Sequence, residues 1–141
     1  MVLERRPLPP LLLQACERHL IGKFPDLLAI YLFGSYSTPY ETKESDIDLA
    51  LITTKPLDSV ILWNTAQQIA IEMNRDVDLI DLKEASTVFR YQVLTTGMRM
   101  YCTDPKECDA IENSYLSMYL RFQEERHDII ENIVEKLREN K

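Results

Sequence analysis

Two aspartates and a Gly-Ser pair have the residue types and spacing to do chemistry in this chain. They lie in FGSYSTPYETKESDIDLALI, residues 33–52, where Asp46 and Asp48 alternate with apolar residues and follow Gly34-Ser35 after a gap of ten residues. Side chains in a strand alternate between its two faces, so Asp46 and Asp48 project the same way. Two adjacent carboxylates repel each other unless a cation lies between them. The pattern therefore predicts a site for a divalent metal ion such as Mg²⁺, which prefers hard oxygen ligands.

The Gly-Ser pair predicts the partner of that metal ion. A glycine at the end of a buried strand lets the backbone turn sharply and approach a ligand closely. The N–H groups that follow Gly34, together with the Ser35 hydroxyl, can donate hydrogen bonds to an anion. Because both strands belong to one predicted sheet, the turn and the start of the next strand share a rim. We expect the phosphates of a nucleoside triphosphate to bind there.

A third carboxylate would complete a site for two metal ions, and the segment DVDLIDL offers three. Asp78 lies inside the predicted strand and alternates with apolar neighbours, so it can share the face of the first two aspartates. Asp76 has the same parity but precedes the strand, and Asp81 has the opposite parity. Asp78 is therefore the predicted third ligand, and it is also a candidate general base for an incoming hydroxyl.

The elements that position these residues alternate along the chain. Apolar runs predict strands over residues 27–34, 46–54 and 77–82, with a short further strand over residues 98–103. Helical spacing predicts helices over about residues 9–22, 58–74 and 85–96 and from about residue 106 to the end. This alternation indicates an α/β fold with helices packed against a largely buried sheet, in one domain over residues 1–141 with a core of about 25–103.

Composition narrows the function classes. The chain has 141 residues, with 23 acidic against 16 basic residues and a net charge of −7, so direct binding of nucleic acid is not expected. The apolar run near the N-terminus is interrupted by prolines and charges, which argues against a membrane span or a secretory signal. Three cysteines without a C-x-x-C pair suggest neither a disulfide framework nor a zinc site. A cytoplasmic location is the expectation.

The predicted last helix is longer than a chain of this size needs. Its apolar residues recur at three- and four-residue steps over about 30 residues, and charged residues cover its other side. We expect part of this helix to dock a partner protein or a second copy of the chain, so both hetero-oligomers and homo-oligomers are open. An acidic chain would suit a more basic partner.

The motifs resemble those of the polymerase β-like nucleotidyltransferases. G-S-x10-D-x-D followed by a third aspartate is the signature of that superfamily, and the small size is similar to that of the minimal nucleotidyltransferases (MNT), antitoxins that act beside HEPN ribonuclease toxins. The resemblance implies a mixed β-sheet flanked by α-helices. It also implies a Mg²⁺-dependent transfer of AMP from ATP to a tyrosine hydroxyl of the cognate HEPN toxin. Gly34 and Ser35 would then bind the nucleotide, and Asp46, Asp48 and Asp78 would bind the metal ions.

Two alternatives to that reaction remain open at the sequence level. The family often carries a small residue and then a glycine shortly after the Gly-Ser pair, whereas Ser37 and Pro39 stand here. The loop is therefore expected to be stiffer, and an antitoxin that inhibits by binding without turnover is the first alternative. The second is a nucleotidyltransferase that modifies a small molecule such as an aminoglycoside, although such relatives carry an additional substrate-binding domain.

Overall fold

The computed structural model describes residues 6–36, 38 and 46–139. Four strands form one sheet in this part of the chain: β1 (Leu27–Phe33), β2 (Ile47–Thr53), β3 (Val77–Asp81) and β4 (Met98–Cys102). Four α-helices accompany them: α1 (Pro10–Lys23), α2 (Ser59–Met73), α3 (Thr87–Thr96) and α4 (Pro105–Glu139). A short 3-10 turn, Leu82–Glu84, follows β3. The predicted α/β alternation is confirmed, with boundaries within two residues of those expected.

The sheet is mixed and has the strand order β3-β2-β1-β4. β1 pairs antiparallel with both β2 and β4, whereas β2 and β3 run parallel. Parallel neighbours need a crossover connection, and α2 provides it. Because β2 and β3 run in the same direction, the N-terminal ends of these two strands lie side by side at one end of the sheet.

Each face of the sheet is covered by two helices. Alternate residues of the strands, such as Ile47 and Leu49, pack with α1 and α2 on one face. The intervening residues, such as Ala50 and Ile52, pack with α3 and the first part of α4 on the other. The strand segments around the centre of the sheet are thus buried on both faces, which is why the strands of the sequence are almost continuously apolar.

Local signals in the sequence account for the helix boundaries. Pro10 begins α1, where its missing N–H and its fixed φ are both tolerated. Asp58 caps α2 by accepting hydrogen bonds from the backbone N–H groups of Val60 and Ile61. Ser86 caps α3 through Phe89, so α3 begins two residues later than the sequence predicts. None of the helices in the described ranges is long and apolar enough to span a membrane.

The long helix α4 lies on the body of the protein only along its first part. Cys108 and Tyr115 are its buried residues, and the Arg90 guanidinium of α3 lies 4.4 Å from the Tyr115 ring centroid. Tyr119 stacks on Tyr91 of α3 with ring centroids 3.7 Å apart. Every residue from 124 to 139 is exposed. With 35 residues, α4 is about 52 Å long, so its C-terminal half extends beyond the sheet.

Candidate active site

The site begins at Gly34, directly after β1. Its φ of +76° lies in the left-handed region, which ends the strand one residue earlier than the sequence predicts. A Cβ atom at this position would overlap Oδ2 of Asp48, so a larger residue fits only if the Asp48 side chain moves. The backbone of the turn therefore lies directly against the Asp48 side chain, and glycine suits the position by both its conformation and its size.

The turn after Gly34 is closed by its own hydrogen bonds. The backbone N–H and the hydroxyl of Thr38 both donate to the carbonyl oxygen of Ser35, at 3.2 and 2.6 Å. Tyr36 is buried in the core, and the Arg75 guanidinium lies 4.8 Å from the centroid of its ring. Gly34 and Ser35 remain exposed. The turn is thus anchored from below by Tyr36 and Thr38, while the Gly-Ser pair faces outward.

The sheet places two of the three predicted aspartates side by side. Asp48 pairs with Asp78 in the parallel register of β2 and β3, and on its other side it pairs with Phe33 of β1. Residues paired across neighbouring strands point to the same face, so both carboxylates lie on the α3 face. Asp48 is half-buried and Asp78 is exposed. Asp46 is exposed and directly precedes β2.

The two other acidic residues of the third segment are placed differently. Asp76 precedes β3, and its backbone carbonyl accepts a hydrogen bond of 2.9 Å from the N–H of Ile47. Asp81 lies at the end of β3, where its side chain accepts a hydrogen bond from the backbone N–H of Lys83. The register thus agrees with the selection of Asp78, which lies inside β3 whereas Asp76 precedes it. The roles of Asp46, Asp48 and Asp78 as ligands stay predictions.

The donor chemistry of this edge fits a hard divalent cation. All three side chains carry carboxylate oxygens, the ligands that Mg²⁺ prefers, and two of them are register neighbours. Within the described ranges, no group of three or more His, Cys, Asp and Glu side chains is already arranged as a metal site. Asp46, Asp48 and Asp78 lie within those ranges, so the structure does not gather all three predicted ligands into one group. Mg²⁺ commonly uses one or two protein carboxylates and completes its coordination with water and substrate phosphates.

An aromatic pair forms the side of the site next to Asp48. Phe33 and Phe89 meet edge to face, with ring centroids 5.5 Å apart. The end of α3 is held against β1 at Gly97, where a Cβ atom would lie 2.7 Å from the backbone oxygen of Leu32. These contacts fix α3 beside the carboxylates.

Sequence reasoning did not find the residues that anchor the turn. Tyr36 and Thr38 lie inside the quoted motif, and both are buried. An aromatic residue and a hydroxyl residue so close to the Gly-Ser pair could have suggested that the turn is anchored in the core. Arg75 carries no such signal, because its position over Tyr36 depends on the crossover between β2 and β3. Ser37 and Pro39, on which the stiffer-loop expectation rests, lie outside the described residues.

Comparison with known proteins gives one coherent result. Residues 18–106 match the family described as Polymerase beta, Nucleotidyltransferase. Over 115 residues the chain is 40% identical to the protein adenylyltransferase MntA of Shewanella oneidensis, and the match covers 82% of each chain.

Two solved structures are similar over most of the chain. A crystal structure of a toxin-antitoxin with AMP-PNP matches at a TM-score of 0.76 and 37% identity, covering 86% of this chain and 98% of the other. The complex of a tri-AMPylated Shewanella oneidensis HEPN toxin with MNT antitoxin matches at a TM-score of 0.73 and 36% identity, covering 88% and 97%. In each case the similarity extends over nearly the whole of the other chain.

Proposed function

Because this chain belongs to the polymerase β nucleotidyltransferase family, we propose that it is a protein adenylyltransferase of the MNT antitoxin type. Its reaction is the transfer of AMP from ATP to a tyrosine hydroxyl of a cognate HEPN toxin, which neutralises the toxin. The similar solved structures, one with an ATP analogue and one with an AMPylated HEPN toxin, support this assignment. The whole chain acts as one minimal unit in the cytoplasm, where ATP is available.

The observation that carries the proposal is the contact between the Gly-Ser turn and the paired aspartates. Gly34 brings the turn against Asp48, and Asp48 stands beside Asp78. An exposed backbone turn with a hydroxyl, next to an acidic pair, fits a nucleotide whose phosphates approach the turn and whose reacting phosphorus faces the carboxylates. Adjacent carboxylates repel each other, and a divalent cation bound beside them reduces that repulsion.

Asp46, Asp48 and Asp78 would hold Mg²⁺, which neutralises the triphosphate charge and makes the acceptor hydroxyl easier to deprotonate. The Ser35 hydroxyl and the N–H groups of the turn donate to the phosphate oxygens and fix their orientation. Asp78 is the most exposed of the paired carboxylates and receives the proton of the tyrosine hydroxyl. Pyrophosphate leaves as the new phosphodiester forms.

The C-terminal half of α4 is the surface that suits the toxin. Its apolar residues are more exposed than such residues usually are in a folded protein, with Ile129 at 59% and Leu137 at 62%. They form one side of the helix together with Phe122, Ile133 and other apolar neighbours. This apolar stripe fits an apolar groove on a partner, and burial of its side chains would supply the affinity.

Charge favours a basic partner over a second copy of the chain. The protein carries a net charge of −7, so two copies repel each other. The exposed half of α4 is itself negatively charged, because it has three basic residues and a larger number of acidic ones. The acidic residues are Glu124, Glu125, Asp128, Glu131, Glu135 and Glu139. A toxin surface rich in Lys and Arg around an apolar groove complements both features.

The test combines the purified protein with ATP labelled on the α-phosphate, Mg²⁺ and the product of the adjacent gene. Label on that product, with the modified residue identified as tyrosine by mass spectrometry, supports the proposal. Chelation with EDTA should abolish labelling and excess Mg²⁺ should restore it, because substrate binding and metal binding are coupled.

Three other outcomes separate the alternatives. Tight association without label identifies an antitoxin that acts by binding alone. Label that appears only on a small hydroxylated compound identifies a small-molecule nucleotidyltransferase. No label and no association with any neighbouring gene product overturns the antitoxin assignment.

A further inference from the structure

Two cysteine side chains meet where β4 is joined to α4. The Sγ atoms of Cys102, at the end of β4, and Cys108, in the first turns of α4, lie 2.9 Å apart, with the thiol of Cys102 donating to Cys108. Both are free thiols. They belong to the face of the sheet that carries α3 and α4, and Cys102 pairs with Ala29 at the opposite end of β1 from Gly34. The pair is therefore remote from the candidate active site.

The backbone holds the two sulfur atoms in this position. The carbonyl oxygen of Leu28 accepts hydrogen bonds from the N–H of Thr103 at 3.0 Å and from the thiol of Cys108 at 3.5 Å. Asp104 accepts from the backbone N–H of Lys106 through its side chain and from that of Cys108 through its carbonyl. The connection between β4 and α4 is thus fixed with the two sulfurs 2.9 Å apart, close to the length of about 2.0 Å of a disulfide bond.

The two thiols differ in their access to solvent. Cys108 is 1% exposed, and burial raises its pKa to about 12, so it does not react first. Cys102 is half-buried and accessible. A reagent from solution therefore reacts first with Cys102, and the buried Cys108 thiol lies in contact with it. An attacking thiol with an adjacent second thiol is the arrangement of cysteines that respond to oxidation.

We propose that Cys102 and Cys108 form a reversible disulfide by exchange with a low-molecular-weight disulfide such as oxidised glutathione. The Cys102 sulfur attacks one sulfur of that disulfide, the first small thiol leaves, and a mixed disulfide forms on Cys102. The Cys108 sulfur then attacks the Cys102 sulfur, and the second small thiol leaves. The two protein thiols lose two electrons and two protons, and the small disulfide gains both.

The disulfide would tie the start of α4 to the edge of the sheet. In its oxidised form the protein should be more stable, because closing even a short loop restricts the unfolded chain. AMP transfer should not change when the acceptor is in excess, since Gly34, Asp48 and Asp78 lie at the other end of the sheet. Only the position of α4, and hence any surface on it, depends on the pair.

The experiment incubates the purified chain with oxidised glutathione and follows its intact mass and its thiols. We expect a mass loss of about 2 Da and a fall from three titratable thiols to one in denaturant. Trypsin cleaves after Lys106, between the two cysteines, so a linked pair of peptides, residues 100–106 and 107–121, identifies the bridge in the unaltered protein. The melting temperature of the oxidised chain should rise by about 3 °C, and dithiothreitol should reverse every change.

Variants of all three cysteines complete the test. Cys102→Ser and Cys108→Ser should each abolish the mass loss. Cys16→Ser should retain it, since Cys16 is fully buried on the other face of the sheet. A mixed disulfide that persists on the unaltered chain, a disulfide-linked dimer, or three remaining thiols overturns the proposal. None of these outcomes depends on adenylyltransferase activity, so the two proposals fail separately.

Discussion

At the scale of single residues, Gly34 is the position at which conformation and chemistry meet. Its positive φ makes a side chain strained, and a Cβ atom there would displace the Asp48 carboxylate. Substitution of Gly34 therefore disturbs the carboxylate as well as the turn. Gly22 of α1 provides a matched control, because a Cβ there meets nothing within 4 Å.

Gly34→Ala should lower AMP transfer by about 100-fold, because displacing a reacting group by about 1 Å has effects of this size. Its free energy of unfolding should fall by about 1 kcal/mol, since alanine at a positive φ is strained. Gly22→Ala should keep full activity and slightly raise stability. Initial rates and urea unfolding measure both quantities, and normal turnover by Gly34→Ala contradicts the placement of the nucleotide.

Asp48→Asn should lower AMP transfer by about 100- to 1,000-fold with the fold unchanged, because it removes one charge from the paired carboxylates. Asp76→Asn is the control, since Asp76 precedes β3 and contributes a backbone carbonyl to the sheet. Its activity should stay within a factor of about 3 of the original. Rates at saturating ATP measure the activity of both variants, and circular dichroism checks that their fold is unchanged. Equal losses in the two variants speak against the selection of Asp78 and Asp48 by register.

The aspartates could be placed from the sequence because strand alternation has a period of two. That rule predicts one face for Asp46 and Asp48 in the second strand, and the parallel register of β2 and β3 pairs Asp48 with Asp78. The contacts that anchor the turn after Gly34 could not be predicted in the same way. Arg75 reaches Tyr36 only because β3 lies beside β2, which is a matter of tertiary packing between distant segments.

At the scale of elements, α2 links the two parallel strands that carry the acidic pair. It begins at the cap formed by Asp58 and ends at Asn74, which adopts a left-handed conformation with φ of 54°. Both ends were readable in the sequence, because short polar residues favour these positions. The strand order was not, since the sequence gives no signal that β4 pairs with β1 on the far side from β2.

Asp58→Ala should lower the free energy of unfolding by about 1 kcal/mol, because two backbone N–H groups at the start of α2 lose their acceptor. For a chain of this size the melting temperature should fall by about 3 °C. Asp58→Asn keeps an acceptor oxygen and should retain most of the stability. Thermal melts followed by circular dichroism at 222 nm measure the difference. Similar melts for the two variants would exclude the cap as a source of stability.

At the scale of the whole molecule, the protein consists of a compact two-sided sheet and a helix that extends beyond it. The length of α4 was evident from the sequence, as was its apolar stripe. Where the helix leaves the body was not evident, because Met118 and Phe122 continue the same spacing as the buried Tyr115. That point depends on the tertiary position of α3, whose Arg90 and Tyr91 contact Met118 and Tyr119 of α4.

Ile133→Lys should weaken association with the toxin by at least about 10-fold, since it places a charge within the apolar stripe. Asn132→Lys adds the same charge beside the stripe and should have less than about a threefold effect. Both side chains are exposed, so neither variant should change the melting temperature. Titration calorimetry of each variant with the toxin gives the dissociation constants. Unaltered affinity of Ile133→Lys would place the contact elsewhere on the protein.

The free end of α4 also has a consequence for the lifetime of the protein. A helical segment of about this length, without tertiary contacts, opens readily in water, and its open backbone is the form that proteases cleave. Burial of the same segment against a partner suppresses that opening. Unbound copies should therefore be trimmed from this end while bound copies persist, so that degradation would keep the amount of the intact protein matched to the amount of its partner.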